Sequence, residues 1–453
     1  MRIRELAWIN DFYREISPYI FIRDEDRVLI IPPNRVYKLN ATGMALIRHL
    51  SRGHRIERLP GLSDGPRAGE VNAFFSDLRD LYGGYPEFPD RRKSVERVSY
   101  TFDFTCLPIL GEIAVTYRCN NRCLFCYAGC GPAAAACGRG ETGTEIMPRS
   151  YELSLSGIKR IIRIFKEKAK IPFFSFTGGE PLLRCDLEKM IAFATRIGLR
   201  VNLISNGTLA TEKRARTLHA SGLRTAQISL ESFREEVHDG LTGTAGSFRR
   251  TIAGLGHLLN AGISVQTNTT LNSVNIDKIE LMPAFLRTLG IERFAMNLFI
   301  PTSSVGAERN GRLFLSYSEV ACSIDRIRKA AEEQGLTFYW YSPLPYCLYN
   351  PIAKGLGNKS CAAMDGLISV SPKGDVLPCS SYPEPMGNLL DRPFEEIWFS
   401  ERAAFFKKKR HAPAGCRDCE SFTACQGACP LYWKFAGTGE LDAVKPRVEE
   451  VTA

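Results

Sequence analysis

Cys119-Asn-Asn-Arg-Cys123-Leu-Phe-Cys126-Tyr127 follows an apolar stretch and places three thiols within eight residues. Three thiolates can hold three irons of a 4Fe-4S cube and leave the fourth iron open, because a fully ligated cube needs four cysteines. An open iron is a place for a ligand or for chemistry. A zinc knuckle, or three idle thiols, is the competing reading of the spacing by itself. The rest of the chain discriminates between them.

A second marked segment lies one strand-helix unit later, Phe176-Thr177-Gly178-Gly179-Glu180-Pro181, at the end of the apolar run that starts at Ile171. Two glycines at the C-terminal end of a strand let the backbone come close to a ligand and leave amide and carbonyl groups free to bind it. Glu180 can hold an ammonium group. Together, the Cys-x3-Cys-x2-Cys spacing with Phe125 before its third cysteine and the Gly-Gly-Glu-Pro string resemble the radical S-adenosylmethionine enzymes. The resemblance implies a 4Fe-4S cluster on Cys119, Cys123 and Cys126. It also implies S-adenosylmethionine chelating the open iron, with Phe125, Gly178, Gly179 and Glu180 at the cofactor and the Gly-Gly-Glu segment on the methionine amino group.

The strand-helix pattern from Gly111 onward supports a barrel-type fold. Strands read at Glu112 to Tyr117, Phe173 to Thr177, Val201 to Ser205, Ala226 to Leu230, Ser264 to Leu271 and Phe294 to Phe299. Helical periodicity fills the gaps at Ile158 to Lys168, Asp186 to Ile197, Glu212 to Ala220, Ser247 to Asn260 and Ile276 to Leu289. Six such units make a parallel sheet with outer helices, short of the eight of a closed barrel, so the expected fold is α/β, a partial (β/α)6 barrel. Ligands in such folds sit at the C-terminal ends of the strands. The cysteine loop, Gly178-Gly179-Glu180, Ser205-Asn206-Gly207-Thr208 and Ser229-Leu230-Glu231 all fall at that rim. By resemblance, Ser229 and its neighbours match the family strand that contacts the ribose, with Asn206 a second polar contact. His238-Asp239 and Gly246-Ser247-Phe248 match further family landmarks; a structural and a catalytic His238 stand equal. No catalytic base or hydrogen donor is identifiable. The stretch Gly129 to Gly143, carrying Cys130 and Cys137, reads as an inserted loop.

Length and composition set the frame. At 453 residues the chain is long enough for about three domains, and 44% hydrophobic residues suffice for sizeable cores. No apolar run approaches the roughly 20 residues of a membrane helix, and Met1-Arg2-Ile3-Arg4-Glu5 opens no signal-peptide core, so a cytoplasmic location and no membrane partner are expected. Fifteen cysteines in that setting argue for metal ligands rather than disulfides. The net charge of +10 is compatible with an acidic partner. Nucleic acid is disfavoured, since the helices that would bind it carry few basic residues.

The segment before the barrel has its own logic. Tyr19 to Arg23 and Arg27 to Ile31 read as a hairpin around Asp24-Glu25-Asp26, Val36 to Leu39 as a third strand, and Asn40 caps a helix to about Leu50. Gly69 to Leu81 continues as a second amphipathic helix. Three strands followed by helices make a winged-helix-like module over residues 1–85, with 86–110 a linker rich in proline and charge. The run Tyr37-Lys-Leu-Asn-Ala-Thr-Gly-Met-Ala-Leu-Ile-Arg-His-Leu50 is similar to the PqqD-like peptide-chaperone domains, the precursor recognition elements of ribosomal peptide biosynthesis. Such domains, the resemblance implies, bind a precursor peptide as an added strand at the sheet edge. A structural cap or dimerisation domain is the alternative.

Beyond the barrel, taken as 111–310, the stretch 311–453 is governed by cysteine spacing. Seven of the fifteen cysteines lie between Cys347 and Cys429, more than one zinc site uses. Cys361 precedes Gly374-Asp-Val-Leu-Pro-Cys379, and Cys416-x2-Cys419-x5-Cys425-x3-Cys429 follows. This arrangement resembles the SPASM extension of radical S-adenosylmethionine enzymes, which binds two auxiliary 4Fe-4S clusters. The resemblance implies Cys347, Cys361, Cys379 and Cys429 on the first cluster and Cys416, Cys419 and Cys425 on the second. The family's final cysteine is absent, since none follows Cys429, so one or two auxiliary clusters are expected. Ser380 stands where sulfatase-maturing relatives carry an acidic residue, which argues against that oxidation. Cys106, Cys185 and Cys322 read as packing residues.

The expected function is therefore that of an oxidoreductase-type peptide maturase. A 5'-deoxyadenosyl radical abstracts hydrogen from a ribosomally made precursor peptide, leading to a thioether or carbon-carbon crosslink or to epimerisation. A reductant such as flavodoxin or ferredoxin supplies the electron. Two alternatives differ in class: the same chemistry on a small molecule or tetrapyrrole, and a non-enzymatic iron-sulfur redox sensor or electron carrier.

Overall fold

The computed structural model describes residues 1–31, 35–83, 94, 102–130 and 152–444. The chain divides into two compact units, Met1–Ile109 and Leu110–Ala453. Most of the expected linker and all but Gly129 and Cys130 of the expected inserted loop lie outside the described residues.

In the first unit an amphipathic helix α1 (Trp8–Ile16) precedes three antiparallel strands, β1 (Phe21–Arg23), β2 (Val28–Ile31) and β3 (Arg35–Lys38). Ile30 pairs with Phe21 on one side and with Val36 on the other, so among the described residues β2 is the central strand. Helix α2 (Ala41–Ser51) starts where the Asn40 side chain accepts from the Gly43 amide at 2.7 Å, and α3 (Pro66–Gly83) completes the unit. Its core packs Leu6, Ile9 and Ile16 against Leu29, Ile47, Val71 and Phe75. The leading helix is an addition to the strand-and-helix order expected from sequence. Its alternation of Ile9, Phe12 and Ile16 with charged residues is helical, but it lies before the hairpin that dominates the reading. Arg23 and Asp26 pair inside this unit, both buried, at 2.7 Å. Arg23 also donates to the Leu107 and Pro108 carbonyls, tying the hairpin to the end of the unit.

In the second unit the six expected strands form consecutively and in parallel: β4 (Leu110–Thr116), β5 (Phe173–Gly178), β6 (Arg200–Ser205), β7 (Thr225–Ser229), β8 (Ser264–Leu271) and β9 (Arg293–Leu298). Outer helices connect them: α4 (Leu155–Glu167), α5 (Leu187–Arg196), α6 (Glu212–Ala220), α7 (Glu235–Thr242), α8 (Ser247–Asn260) and α9 (Met282–Thr288). The expected helix from Ile276 divides into a 3-10 turn and the short α9, with Pro283 at the start of the latter.

The sheet continues past the six units. After α10 (Ala307–Leu313) and α11 (Tyr317–Glu333), β10 (Thr337–Trp340) pairs in parallel with β9. At the other edge β11 (Leu367–Val370) pairs in parallel with β4, and β12 (Asp375–Leu377) and β13 (Gly387–Asn388) follow antiparallel. Ten strands among the described residues thus make one open sheet, ending at β10 and β13, and the fold is a partial barrel. The cysteine-rich stretch is hydrogen-bonded into that sheet rather than appended to it. No helix of the described residues is long and apolar enough to cross a membrane.

Candidate functional site

The cysteine loop leaves β4 at the C-terminal rim and is held by its neighbours on three sides. Leu124 and Arg122 donate their amides to the Leu241 and Thr242 carbonyls at the end of α7, at 2.9 Å each. Glycine is required at position 243, where φ is +61° and a Cβ would stand 2.6 Å from the Arg122 carbonyl oxygen. Phe125 packs beside Leu241, Phe299, Val305 and Leu313, which anchors the loop between its second and third cysteines. On the remaining side, Gly179 and Glu180 donate their amides to the Thr116 and Arg118 carbonyls at 2.7 and 2.8 Å.

Those last bonds explain the paired glycines. A Cβ on Gly178 would lie 2.1 Å from the Thr116 oxygen, and one on Gly179 2.2 Å from the Arg118 oxygen. The close approach that glycine permits here is to the root of the cysteine loop.

Glu180 is wholly buried, and its carboxylate accepts from three donors: the Leu182 amide at 2.9 Å, the Ser205 hydroxyl at 2.8 Å and the Asn206 amide at 2.8 Å. Burial raises its pKa, and those donors oppose the rise. Asn206 passes the connection on. Its Nδ2 donates to Asn120 Oδ1 at 2.9 Å and faces Cys119 Sγ at 3.8 Å, while its Oδ1 accepts from the Thr208 amide and hydroxyl. Thr208 in turn accepts from Asn120 Nδ2 at 2.7 Å. Asn120 and Thr208 are thus site residues that the sequence reading does not isolate, since only the meeting of two loops reveals them.

Ser229 ends β7 opposite Asn268 of β8. Asn268 donates to Asn297 on β9 at 2.8 Å but its own Oδ1 is buried without a partner, as is Asn121 Oδ1 in the cysteine loop. Glu231, two residues beyond Ser229, accepts from the Thr270 amide at 2.9 Å, and burial holds its carboxyl up at about 8. His238 Nδ1 accepts the Glu231 amide at 3.2 Å, and burial holds the imidazole down at about 4. Asp239 takes the amides of Gly246 and Phe248 and the Ser247 hydroxyl, capping α8. Both members of the His-Asp pair are therefore engaged in placing the rim.

The thiols themselves fit an iron-sulfur cluster. Backbone N–H groups are aimed at sulfur, Asn121 to Cys119 Sγ at 3.4 Å and Cys130 to Cys126 Sγ at 3.3 Å, an arrangement that favours thiolate. Burial pushes the Cys119 thiol up to about 12 and Cys123 well above its usual value. Cys126 is drawn down to about 7 by a hydrogen bond from the Cys130 thiol. Buried thiols of this kind ionise when a cation takes them, so metal loading releases protons. Nearby, a cavity of about 220 Å³ opens between Tyr117 and Tyr127 of the cysteine loop, Lys373 and Asp375 of the β11–β12 turn, and Ser380 and Tyr382 after Cys379. A larger cleft, about 310 Å³, is lined by Arg160, Ile164, Phe394 and their neighbours and touches none of these residues.

Residues 113–285 match the radical SAM superfamily, and residues 361–420 match the iron-sulfur cluster-binding SPASM domain. The chain is a radical S-adenosylmethionine enzyme with a SPASM domain. Its cofactors are S-adenosylmethionine and 4Fe-4S clusters. The sequence is 28% identical to the AdoMet-dependent heme synthase of Nitratidesulfovibrio vulgaris over 74% of this chain and 90% of that protein. It is 26% identical to the PqqA peptide cyclase of Streptomyces rochei over 74% of this chain and 87% of that one. Among solved structures the fold is shared with Streptococcus suis SuiB bound to its precursor peptide SuiA, with a TM-score of 0.64 at 15% identity over 92% of this chain and 95% of that one. The AdoMet-bound structure of anSMEcpe aligns with a TM-score of 0.55 at 15% identity over 74% of this chain and 99% of that one.

Proposed function

We propose that this radical SAM enzyme is a maturase of a ribosomally made peptide, forming a thioether or carbon-carbon crosslink or inverting a stereocentre. The observation that carries the reading is the first unit. A three-stranded sheet that among the described residues ends at β1 and β3, its third strand leading into the Asn40-capped α2, has the architecture to which an extended peptide can add as a strand. The likeness of the whole chain to a structure solved with a precursor peptide, and the relatedness to PqqA peptide cyclases, support it.

A 4Fe-4S cluster held by Cys119, Cys123 and Cys126 would supply the electron for reductive cleavage of S-adenosylmethionine and hence for hydrogen abstraction from the substrate. The chain's own residues do the placing. Cys119, Cys123 and Cys126 hold the cluster. Glu180 and Asn206 lock the β5 and β6 loops against the cysteine loop, so the methionine end of the cofactor meets prearranged backbone. Ser229 and the unpartnered Asn268 Oδ1 provide polar contacts for the nucleoside. Tyr117 and Tyr127 line the cavity beside the cysteine loop that the reacting residue would enter.

The test is co-expression with the small peptide encoded beside the gene. Loss of two hydrogens reports a crosslink, and unchanged mass with deuterium uptake from solvent reports epimerisation. An unmodified peptide, with no binding of labelled peptide to the full chain, refutes the reading. The relatedness to heme synthases favours one second reading, a tetrapyrrole substrate. Substrate-dependent 5'-deoxyadenosine formation with a tetrapyrrole, and none with peptide, would establish it.

A further inference from the structure

The parallel sheet of the second unit has two unlike faces. On one, Phe174, Phe176, Leu203, Ile228 and Phe294 are wholly buried, and the Phe174 ring meets Phe165 of α4 with centroids 5.8 Å apart, so this face packs on the outer helices. The residues of the other face follow from register, since partners across a sheet point to the same side. Ser369 pairs with Glu112, Glu112 with Ser175, and Ser175 with Asn202. Asn202 pairs with Thr225, which shares its side of β7 with Gln227, and Gln227 pairs with Gln266. Thr270 with Asn297 and Ala295 with Tyr339 carry the face on to β10. A closed barrel fills this space with branched apolar side chains. Here it is a band of amides and hydroxyls, in which Asn202, Gln227, Gln266 and Asn297 are only half-buried.

The amides of the band bond to one another without being used up. Gln266 Nε2 donates to Gln227 Oε1 at 3.2 Å and to the Tyr341 hydroxyl at 2.8 Å, and Asn202 Nδ2 donates to Ser175 Oγ at 3.2 Å. A side-chain amide has two N–H donors and an oxygen with two lone pairs. Gln227 Nε2 and Gln266 Oε1 have no partner among the described residues, so an open donor stands beside an open acceptor. Ser229 and Asn268, at the rim, are the row proposed for the nucleoside, and Gln227 and Gln266 form the row beneath it. Charge lies elsewhere. The charged residues of β4 to β11 are Glu112, which accepts from the Ser369 hydroxyl at 2.5 Å, and Arg200 and Arg293, which begin β6 and β9. Just past β10, where the sheet ends among the described residues, Tyr341 is 42% exposed and stacks on Tyr339.

We propose that Gln227 and Gln266 are specificity-determining residues that bind the main chain of the substrate peptide, Gln266 Oε1 accepting a peptide N–H and Gln227 Nε2 donating to a peptide carbonyl. Each peptide group carries one donor and one acceptor, the complement of what this pair leaves open. An open edge at β10 lets an extended chain run in and out, where a closed barrel would admit only a compact ligand. A tetrapyrrole fits the row poorly, because its broad apolar face would strip the amides of water and give no bond in return. The inference rests on the peptide reading and names how that site recognises its substrate.

The test uses the full-length holoenzyme and the peptide encoded beside its gene, made with one main-chain amide at a time replaced by an ester around the modified residue. An ester has no N–H to give. In the unaltered enzyme one such replacement should lower kcat/KM about tenfold. Gln266→Met should lower kcat/KM for the all-amide peptide by a similar factor, and the same ester should then cost nothing further. Gln227→Met, which removes the donor instead, should weaken the all-amide peptide and keep the ester penalty. A Gln266→Met enzyme that keeps the full ester penalty overturns the proposal. Should the variants not fold, the ester series on the unaltered enzyme decides, and a series with no costly position overturns it. Turnover of a tetrapyrrole with no peptide bound or modified defeats the peptide reading and this inference together. A peptide modified equally well by the unaltered and Gln266→Met enzymes defeats this inference alone.

Discussion

Glu180 shows how a residue that chemistry marks out acquires its role from its neighbours. With three donors converging on its carboxylate, Glu180→Ala strands the Leu182 and Asn206 amides and the Ser205 hydroxyl in the interior. At about 1–3 kcal/mol for each unmet buried donor, a loss of at least about 3 kcal/mol is expected in denaturant unfolding, accompanied by weaker S-adenosylmethionine binding. Unchanged stability with binding abolished would instead assign Glu180 to direct contact with the cofactor. His238 yields a pH prediction. Its imidazole, held down at about 4 against an ordinary 6.5, stays neutral in the fold while the unfolded chain takes up a proton. Its contribution is thus intact above about pH 6.5 and is lost as pH falls toward 4, by about 3 kcal/mol in full. His411, held down to about 4 by burial and by Lys409, acts in the same sense. His238→Asn should flatten, not remove, the fall in stability between pH 7 and 5, and parallel wild-type and variant curves would refute this account.

At the scale of elements, the site depends on close approaches of backbone. Helix α8 lies so near the loop after β6 that a Cβ on Gly254 would stand 2.0 Å from the Gly207 carbonyl oxygen. Gly254→Ala should push the Asn206–Thr208 loop off its seat and weaken S-adenosylmethionine binding, although it replaces a poor helix former with a good one. Gly256→Ala, on the same helix with open space around its Cβ, is the control and should bind normally, with stability unchanged or raised. Equal behaviour of the two variants would show that the packing of α8 is not what seats the loop. Six strands and most of their helices are legible in the sequence because short strand-like segments, with every second residue buried in β6 and β8, alternate with stretches of helical periodicity. Strand β10 is not, for its Phe338, Tyr339 and Trp340 look like any aromatic packing segment until β9 is there to pair with them. Helix α7 is equally hidden, being short, yet its C-terminal end holds the cysteine loop.

For the whole molecule, the division at Ile109 makes a prediction about coupling of recognition to chemistry. Residues 110–453 contain the complete ten-stranded sheet of the described residues and every proposed cluster ligand. Expressed without the first unit, they should still take up iron and cleave S-adenosylmethionine under reduction. Their affinity for precursor peptide should fall about tenfold or more, roughly 1.4 kcal/mol. Peptide binding that survives the deletion would move recognition into the barrel. In the full chain, replacing Cys119, Cys123 and Cys126 together by alanine should end 5'-deoxyadenosine formation, and continued formation would refute the site.

The sequence alone determined what is local. Three thiols within one loop, two glycines before Glu180, an asparagine at a helix start and the alternation of strand with helix are carried by residues near one another in the chain, where spacing dictates geometry. The tertiary structure decided what depends on distant segments meeting: that the paired glycines seat the Gly-Gly-Glu loop on the cysteine loop, that Asn120 and Thr208 join the rim, and that the Tyr346 amide meets Cys425 Sγ. The physical reason is that a side chain's partners are chosen by distance in space, which packing sets by bringing remote segments together, as where the Asn120 and Asn206 side chains meet across two loops.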